Sequence, residues 1–141
     1  MIKVNFCLIR RAELTHAEFI DYWRRKHAPL VRQYAEVIGI VKYVQSHALE
    51  HPVNELLRHS RGAPGGFDGV AEIYYESAEA LHRVMFEPAA KMAGKALRED
   101  EMRFIDLGRS PLFICCEQTI IAGPSIHPHP TIDVDGLTSN I

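Results

Sequence analysis

Three observations predict an α+β domain with a four-stranded antiparallel sheet and helices on one face. Four short segments carry the two-residue period of strands, helix signals follow the first and third of them, and 141 residues suit a single domain. In order they read strand, helix, strand, strand, helix, strand, which is the ferredoxin-like βαββαβ repeat.

The first segment, residues 2–9, sets Ile2, Val4, Phe6 and Leu8 against Lys3, Asn5 and Cys7, the alternation of a half-buried strand. Thr15 followed by Glu18 reads as a capping box opening a helix over about 15–37. Its apolar face is Phe19, Ile20, Trp23, Leu30, Tyr34 and Ile38. Pro29 removes a backbone donor and crowds the carbonyl of Arg25, so a kink or restart is expected near residues 26–29. Gly39 offers a helix stop, and residues 40–48 read as the second strand, with Val41, Tyr43, Gln45 and His47 on one face. Residues 49–67 form a long loop with a short helical stretch at 53–58, of the kind that often serves as a lid. Residues 69–75 make the third strand, Ser77 caps a helix through about residue 86, and Pro88 starts another to about residue 101. The last strand is expected over 112–121. Residues 1–121 thus form the domain, and 122–141, with three prolines and few large side chains, an extended tail.

A composition of 47% hydrophobic and 24% charged residues supports a real core, and a net charge of -2 leaves no basic surplus for nucleic acid or an anionic membrane surface. No apolar run approaches the roughly 20 residues of a membrane span, and the N-terminus lacks the features of a signal peptide. Three cysteines, an odd number with Cys115 and Cys116 adjacent, make no disulfide framework and suit the cytoplasm. With helices on one face, the other sheet face needs cover, and a second copy of the chain is the simplest source, so a homodimer is expected.

His27 falls inside the apolar face of the first helix. It reads either as a core histidine satisfied by a backbone carbonyl or as a general acid or base beside the space that Pro29 opens. Tyr43 and His47 share a strand face, where they either pack and solvate or bind a carbonyl and stabilise an enolate. Glu72 is an acid in mid-strand, facing solvent or serving a substrate. Trp23 and Tyr34 complete the substrate-binding candidates. His51 and His59 lie in the long loop. His127 and His129 make a weak metal pair without a third ligand, so no metal is expected. No Walker loop, GxGxxG or GxSxG appears, which leaves cofactor-free acid–base chemistry as the enzyme class to consider.

Four blocks in order resemble the EthD family: Tyr22-Trp23-Arg24-Arg25-Lys26-His27-Ala28-Pro29-Leu30-Val31, Tyr43-Val44-Gln45-Ser46-His47, Phe67-Asp68-Gly69-Val70-Ala71-Glu72 and Arg103-Phe104-Ile105-Asp106. The resemblance covers about residues 1–119. It implies a dimeric α+β barrel, and relatives that decarboxylate, dehydrate or isomerise small cyclic compounds. In similar isomerases a first-helix histidine and a second-strand tyrosine transfer protons, and His27 and Tyr43 occupy those positions. His47 matches the family's strand-end histidine, though Ser46 stands where asparagine is commoner.

The expectation is therefore a cofactor-independent lyase or isomerase acting on a small cyclic or aromatic carbonyl compound, with His27, Tyr43 and His47 as catalytic residues. The rivals are a non-catalytic dimeric binding protein of a degradation pathway and a barrel-type monooxygenase.

Overall fold

In the computed structural model the described residues are 1–124 and the backbone of 131–132 and 138–139. The strands are β1 (Ile2–Leu8), β2 (Lys42–His47), β3 (Gly69–Tyr75) and β4 (Leu112–Cys115), joined as one antiparallel sheet in the order β2-β3-β1-β4. Thr131–Ile132 and Thr138–Ser139 pair as two short antiparallel strands apart from it. The domain is α+β and ferredoxin-like, as its element order predicts.

The capping box forms as its spacing predicts: the Glu18 amide donates to the Thr15 hydroxyl, and the Thr15 amide to the Glu18 carboxylate. It opens α1 (His16–Tyr22), but the expected single helix is three pieces. Residues Trp23–His27 make a wider turn in which the Ala28 amide reaches back five residues to the Trp23 carbonyl, and α2 (Ala28–Tyr34) follows. This widened turn lies just before Pro29, which cannot donate to the carbonyl of Arg25. It is also where both Trp23 and His27 are buried.

The long loop holds a fuller helix than expected, α3 (Val53–Arg61), ended by Gly62 in the left-handed conformation. After β3 come α4 (Ala78–Val84), capped by Ser77, and α5 (Pro88–Glu101). The last strand is shorter than expected. It pairs only with Lys3 to Phe6 of β1, and in that register Glu117 would already face Met1, so residues 118–121 have no strand to lie against. No helix among the described residues is long and apolar enough to cross a membrane.

Helices cover the sheet face that carries Phe6, Leu8 and Ala71, and Phe19, Trp23, Phe104 and Ile105 complete the core. Ring contacts of 5.7 Å from Phe19 to Trp23 and 5.4 Å from Phe19 to Phe104 tie the first helix to the segment after α5. Trp23 packs so closely on β3 that a Cβ at Gly69 would come within 2.6 Å of its ring and 2.7 Å of the Ser46 carbonyl, which makes glycine necessary there. The opposite face carries Lys3, Glu72 and Tyr74 together with Val44 and the half-exposed Phe113.

Candidate functional site

A cavity of about 240 Å³ lies between the sheet and the helices. The sheet supplies Phe6, Leu8, Tyr43, Ala71 and Ile73, and the first helix supplies Trp23, His27 and Val31. Most of the lining is apolar. The residues of the lining that carry polar groups are His27, Tyr43, Glu101, Trp23 and Tyr75.

His27 is 4% exposed, and its ring stands 5.0 Å from that of Phe104. Its Nδ1 lies 2.7 Å from Asp100, a buried carboxylate that also accepts from the Tyr22 hydroxyl at 2.6 Å and from Arg103 at 3.1 Å. Burial pushes the Asp100 carboxyl up, but the hydrogen bonds from Tyr22 and His27 outweigh it, and the net shift is downward. An ionised carboxylate can only accept, so Nδ1 carries the proton and Nε2 presents its lone pair. Burial also pushes His27 below the ordinary imidazole value, and Asp100 offsets this only in part. The neutral imidazole is thus the form present at neutral pH.

Nε2 of His27 stands 3.9 Å from Glu101, too far for a hydrogen bond but close enough for one substrate atom to touch both. Burial raises the Glu101 carboxyl to about 7, with Arg98 opposing and Asp100 adding to the rise. Adjacent acids at the end of α5 are therefore driven in opposite directions. One is fixed as an anion and the other is poised to give or take a proton near neutrality.

Tyr43 is kept as a phenol by burial. Its oxygen accepts from Trp23 Nε1 at 3.1 Å and from Gln45 Nε2 at 3.2 Å, which leaves its own proton to donate into the cavity. Gln45 also donates to the Trp23 carbonyl at 3.1 Å, and its Oε1 lies 2.8 Å from His47 Nε2. His47, its pKa lowered by burial and then by neighbouring Arg24 and His16, stacks 5.0 Å from Trp23.

The sequence candidates divide accordingly. His27, Tyr43 and Trp23 line the cavity, whereas His47 stands behind it, against Gln45 and the ring of Trp23. Tyr34 is half-buried outside the cavity, because Val31 and Ile38 are the residues of that stretch facing it. Glu72 must be corrected as a residue of this cavity. Alternation along β3 turns Ala71 and Ile73 inward and Glu72 to the other face, where it pairs with Lys3 at 2.9 Å. His51 and His59 also lie away from the cavity, and His127 and His129 fall outside the described residues.

Asp100 and Glu101 were absent from the sequence candidates. A signal for Glu101 exists: Ala90, Gly94, Leu97 and Glu101 follow one another at helical steps, so the acid falls in phase with the inward face, as His27 does in the first helix.

The EthD domain model matches residues 11–108, a span that contains every polar group at the His27 end of the cavity. Among solved structures, an ethyl tert-butyl ether D (EthD) family protein from Bacillus halodurans is 24% identical, with 84% of this chain and 100% of that one covered and a TM-score of 0.53. An EthD-like protein from Ralstonia eutropha is 20% identical, with 86% and 93% covered and a TM-score of 0.54. A dimeric protein of unknown function and ferredoxin-like fold from Bacteroides fragilis is 10% identical, with 81% and 93% covered and a TM-score of 0.51. At these identities the likeness is one of fold. None of the curated proteins compared matches the chain.

Proposed function

We propose, since this chain belongs to the EthD family and holds a bare histidine nitrogen in an apolar cavity, that it is a cofactor-independent lyase or isomerase acting on a small cyclic or aromatic carbonyl compound. The observation that carries the reading is His27, anchored through Nδ1 to Asp100 with Nε2 facing Glu101 across 3.9 Å. His27 Nε2 takes a proton from the carbon next to the carbonyl, and the electron pair moves onto the carbonyl oxygen. Tyr43 and the protonated form of Glu101 donate hydrogen bonds to that oxygen, and Trp23 walls the ring. Return of the proton to another carbon completes an isomerisation, whereas loss of a β-hydroxyl, protonated as it leaves, completes a dehydration. His47 acts at one remove, by orienting the Gln45 amide that fixes Tyr43.

The test is exchange of hydrogen for deuterium beside the carbonyl of cyclic ketones in D2O, followed by NMR. Wild type catalyses it, and His27→Gln slows it by about 10²- to 10⁴-fold while keeping its thermal unfolding midpoint. Equal rates in the two proteins would end the proposal. The alternative, an accessory protein that only holds its ligand, draws on the largely apolar lining, and binding by wild type without exchange would favour it.

The protein acts as a homodimer in this reading, the second copy covering the sheet face that bears Val44 and Phe113. Support comes from the 53% exposure of Phe113 and from the Bacteroides structure, which is described as dimeric. Sedimentation equilibrium showing only monomer at micromolar concentration would remove this part. The cysteines described, Cys7, Cys115 and Cys116, are free thiols, as suits a cytoplasmic setting.

A further inference from the structure

The acid–base groups occupy one end of the cavity, and the rest is apolar except for Tyr75. Along α5 the lining residues are Ala90, Gly94, Leu97 and Glu101. At 1.5 Å per residue, Gly94 stands about 10 Å along the helix from Glu101, so the cavity is elongated. Met85 lines it too, lies three residues before α5 begins, and is still 58% exposed, which marks the mouth at the end away from Glu101. Leu81 and Val84 of α4 belong to the same lining.

Gly94 is the unusual residue in this half. It sits in mid-helix without the positive φ that Gly39, Gly62 and Gly123 show, so the backbone does not call for glycine, which is a poor helix former. A Cβ built there would meet nothing within 4 Å. The position lies on the cavity-facing side of α5, so what the missing side chain leaves open is cavity. An apolar cavity of about 150 Å³ accepts benzene. The 240 Å³ here accommodates a ring and an extension of it.

Resting on the acid–base reading for its head group, we propose that the substrate carries an unbranched apolar tail of roughly three to five carbons, seated against Gly94 and pointing to the mouth at Met85. Gly94 sets the tail length that the cavity accepts.

The test is calorimetric titration with phenol, 4-ethylphenol, 4-propylphenol and 4-pentylphenol, whose hydroxyl stands in for the enol of the head group. In wild type the affinity rises about fourfold per methylene as each is buried. Gly94→Leu abolishes that rise while binding phenol within twofold of wild type, and Gly94→Ala, the milder change in the same helix, lowers the rise for 4-pentylphenol only. Equal affinities along the series in wild type, or a loss of phenol binding in Gly94→Leu as large as the loss of 4-pentylphenol in a protein with an unchanged circular dichroism spectrum, would overturn the assignment. His27→Gln separates the two readings. A chain-length rise that persists in Gly94-intact protein, with phenol binding indifferent to His27→Gln, keeps the tail site and removes the head-group role of His27. Binding that depends on His27 but not on chain length removes the tail site alone, and failure of all four phenols to bind removes both.

Discussion

Two histidine–aspartate pairs stand among the described residues, and only one has the geometry of a reacting group. His27 Nδ1 meets Asp100 at 2.7 Å, and its Nε2 opens on the cavity. His16 Nδ1 meets Asp68 at 2.8 Å, but its Nε2 lies 2.8 Å from the Ala48 carbonyl. Each nitrogen of His16 thus faces an oxygen acceptor, and neither is left to take a proton from a ligand. Asp68 also accepts from the Arg10 amide at 2.9 Å and from its guanidinium at 2.7 Å. This second pair is a clasp. It joins the end of β1, the start of α1 and both ends of the excursion that carries α3. A histidine beside an aspartate is therefore not a catalytic signal in itself, and what distinguishes the two is the surroundings of the second nitrogen.

The sharpest way to break this comparison is to make the same substitution in both pairs. Asp100→Asn can donate to Nδ1 and so favours the tautomer with its proton on Nε2, which blocks the base. Deuterium exchange is expected to fall by at least about 10²-fold. Asp68→Asn leaves the exchange rate per folded molecule within twofold but lowers stability in urea by about 2 to 3 kcal/mol, through loss of charged partners for Arg10 and His16. Burial raises the Asp68 carboxyl, and the hydrogen bonds from Arg10 and His16 bring it below the ordinary value. The stability it adds is thus present above the unfolded value near 3.8 and is lost as pH falls through the lower folded value, so the gap between wild type and Asp68→Asn closes in acid. Comparable losses of exchange in both variants would show that the two pairs do not differ in kind.

The fold could be read in the sequence wherever a local signal had no competitor. The alternation in residues 2–9, the Thr15–Glu18 box and the Ser77 cap each reappear as atoms in contact. Sequence and structure part where the outcome depends on a partner. β4 cannot run on to residue 121 because β1 offers it no partner beyond the first residues of the chain, which no property of residues 118–121 announces. The widened turn at Trp23–His27 was foreshadowed by Pro29 only as a kink, since its bonding pattern is settled by how Trp23 and His27 pack. In the site, His27 and Tyr43 stood out because a polar group in an apolar phase is conspicuous. Asp100 did not, since its role exists only across 73 residues of chain. Glu72 looked significant because an acid in a strand is rare, yet strand parity sends it to the other face and to Lys3.

A finer division runs between neighbours, Asp100 and Glu101, and it predicts a smaller effect with a definite sign. Glu101 titrates near 7 in the folded protein and near 4.5 when unfolded, so between these values the native state holds the extra proton. Its contribution to stability is complete below about pH 4.5 and is lost as pH rises through about 7. Glu101→Gln removes the charge that burial penalises, and is expected to exceed wild type by on the order of 2 to 3 kcal/mol at pH 8 while matching it at pH 4. In exchange kinetics, His27 must be neutral and Glu101 protonated, so the wild-type profile falls on the acid side below the ordinary imidazole value and on the alkaline side near pH 7. The glutamine amide still donates but does not titrate, so the alkaline limb disappears from the variant. If that limb persists in Glu101→Gln, another group controls it and Glu101 is a buried acid whose cost to stability serves no step of the reaction.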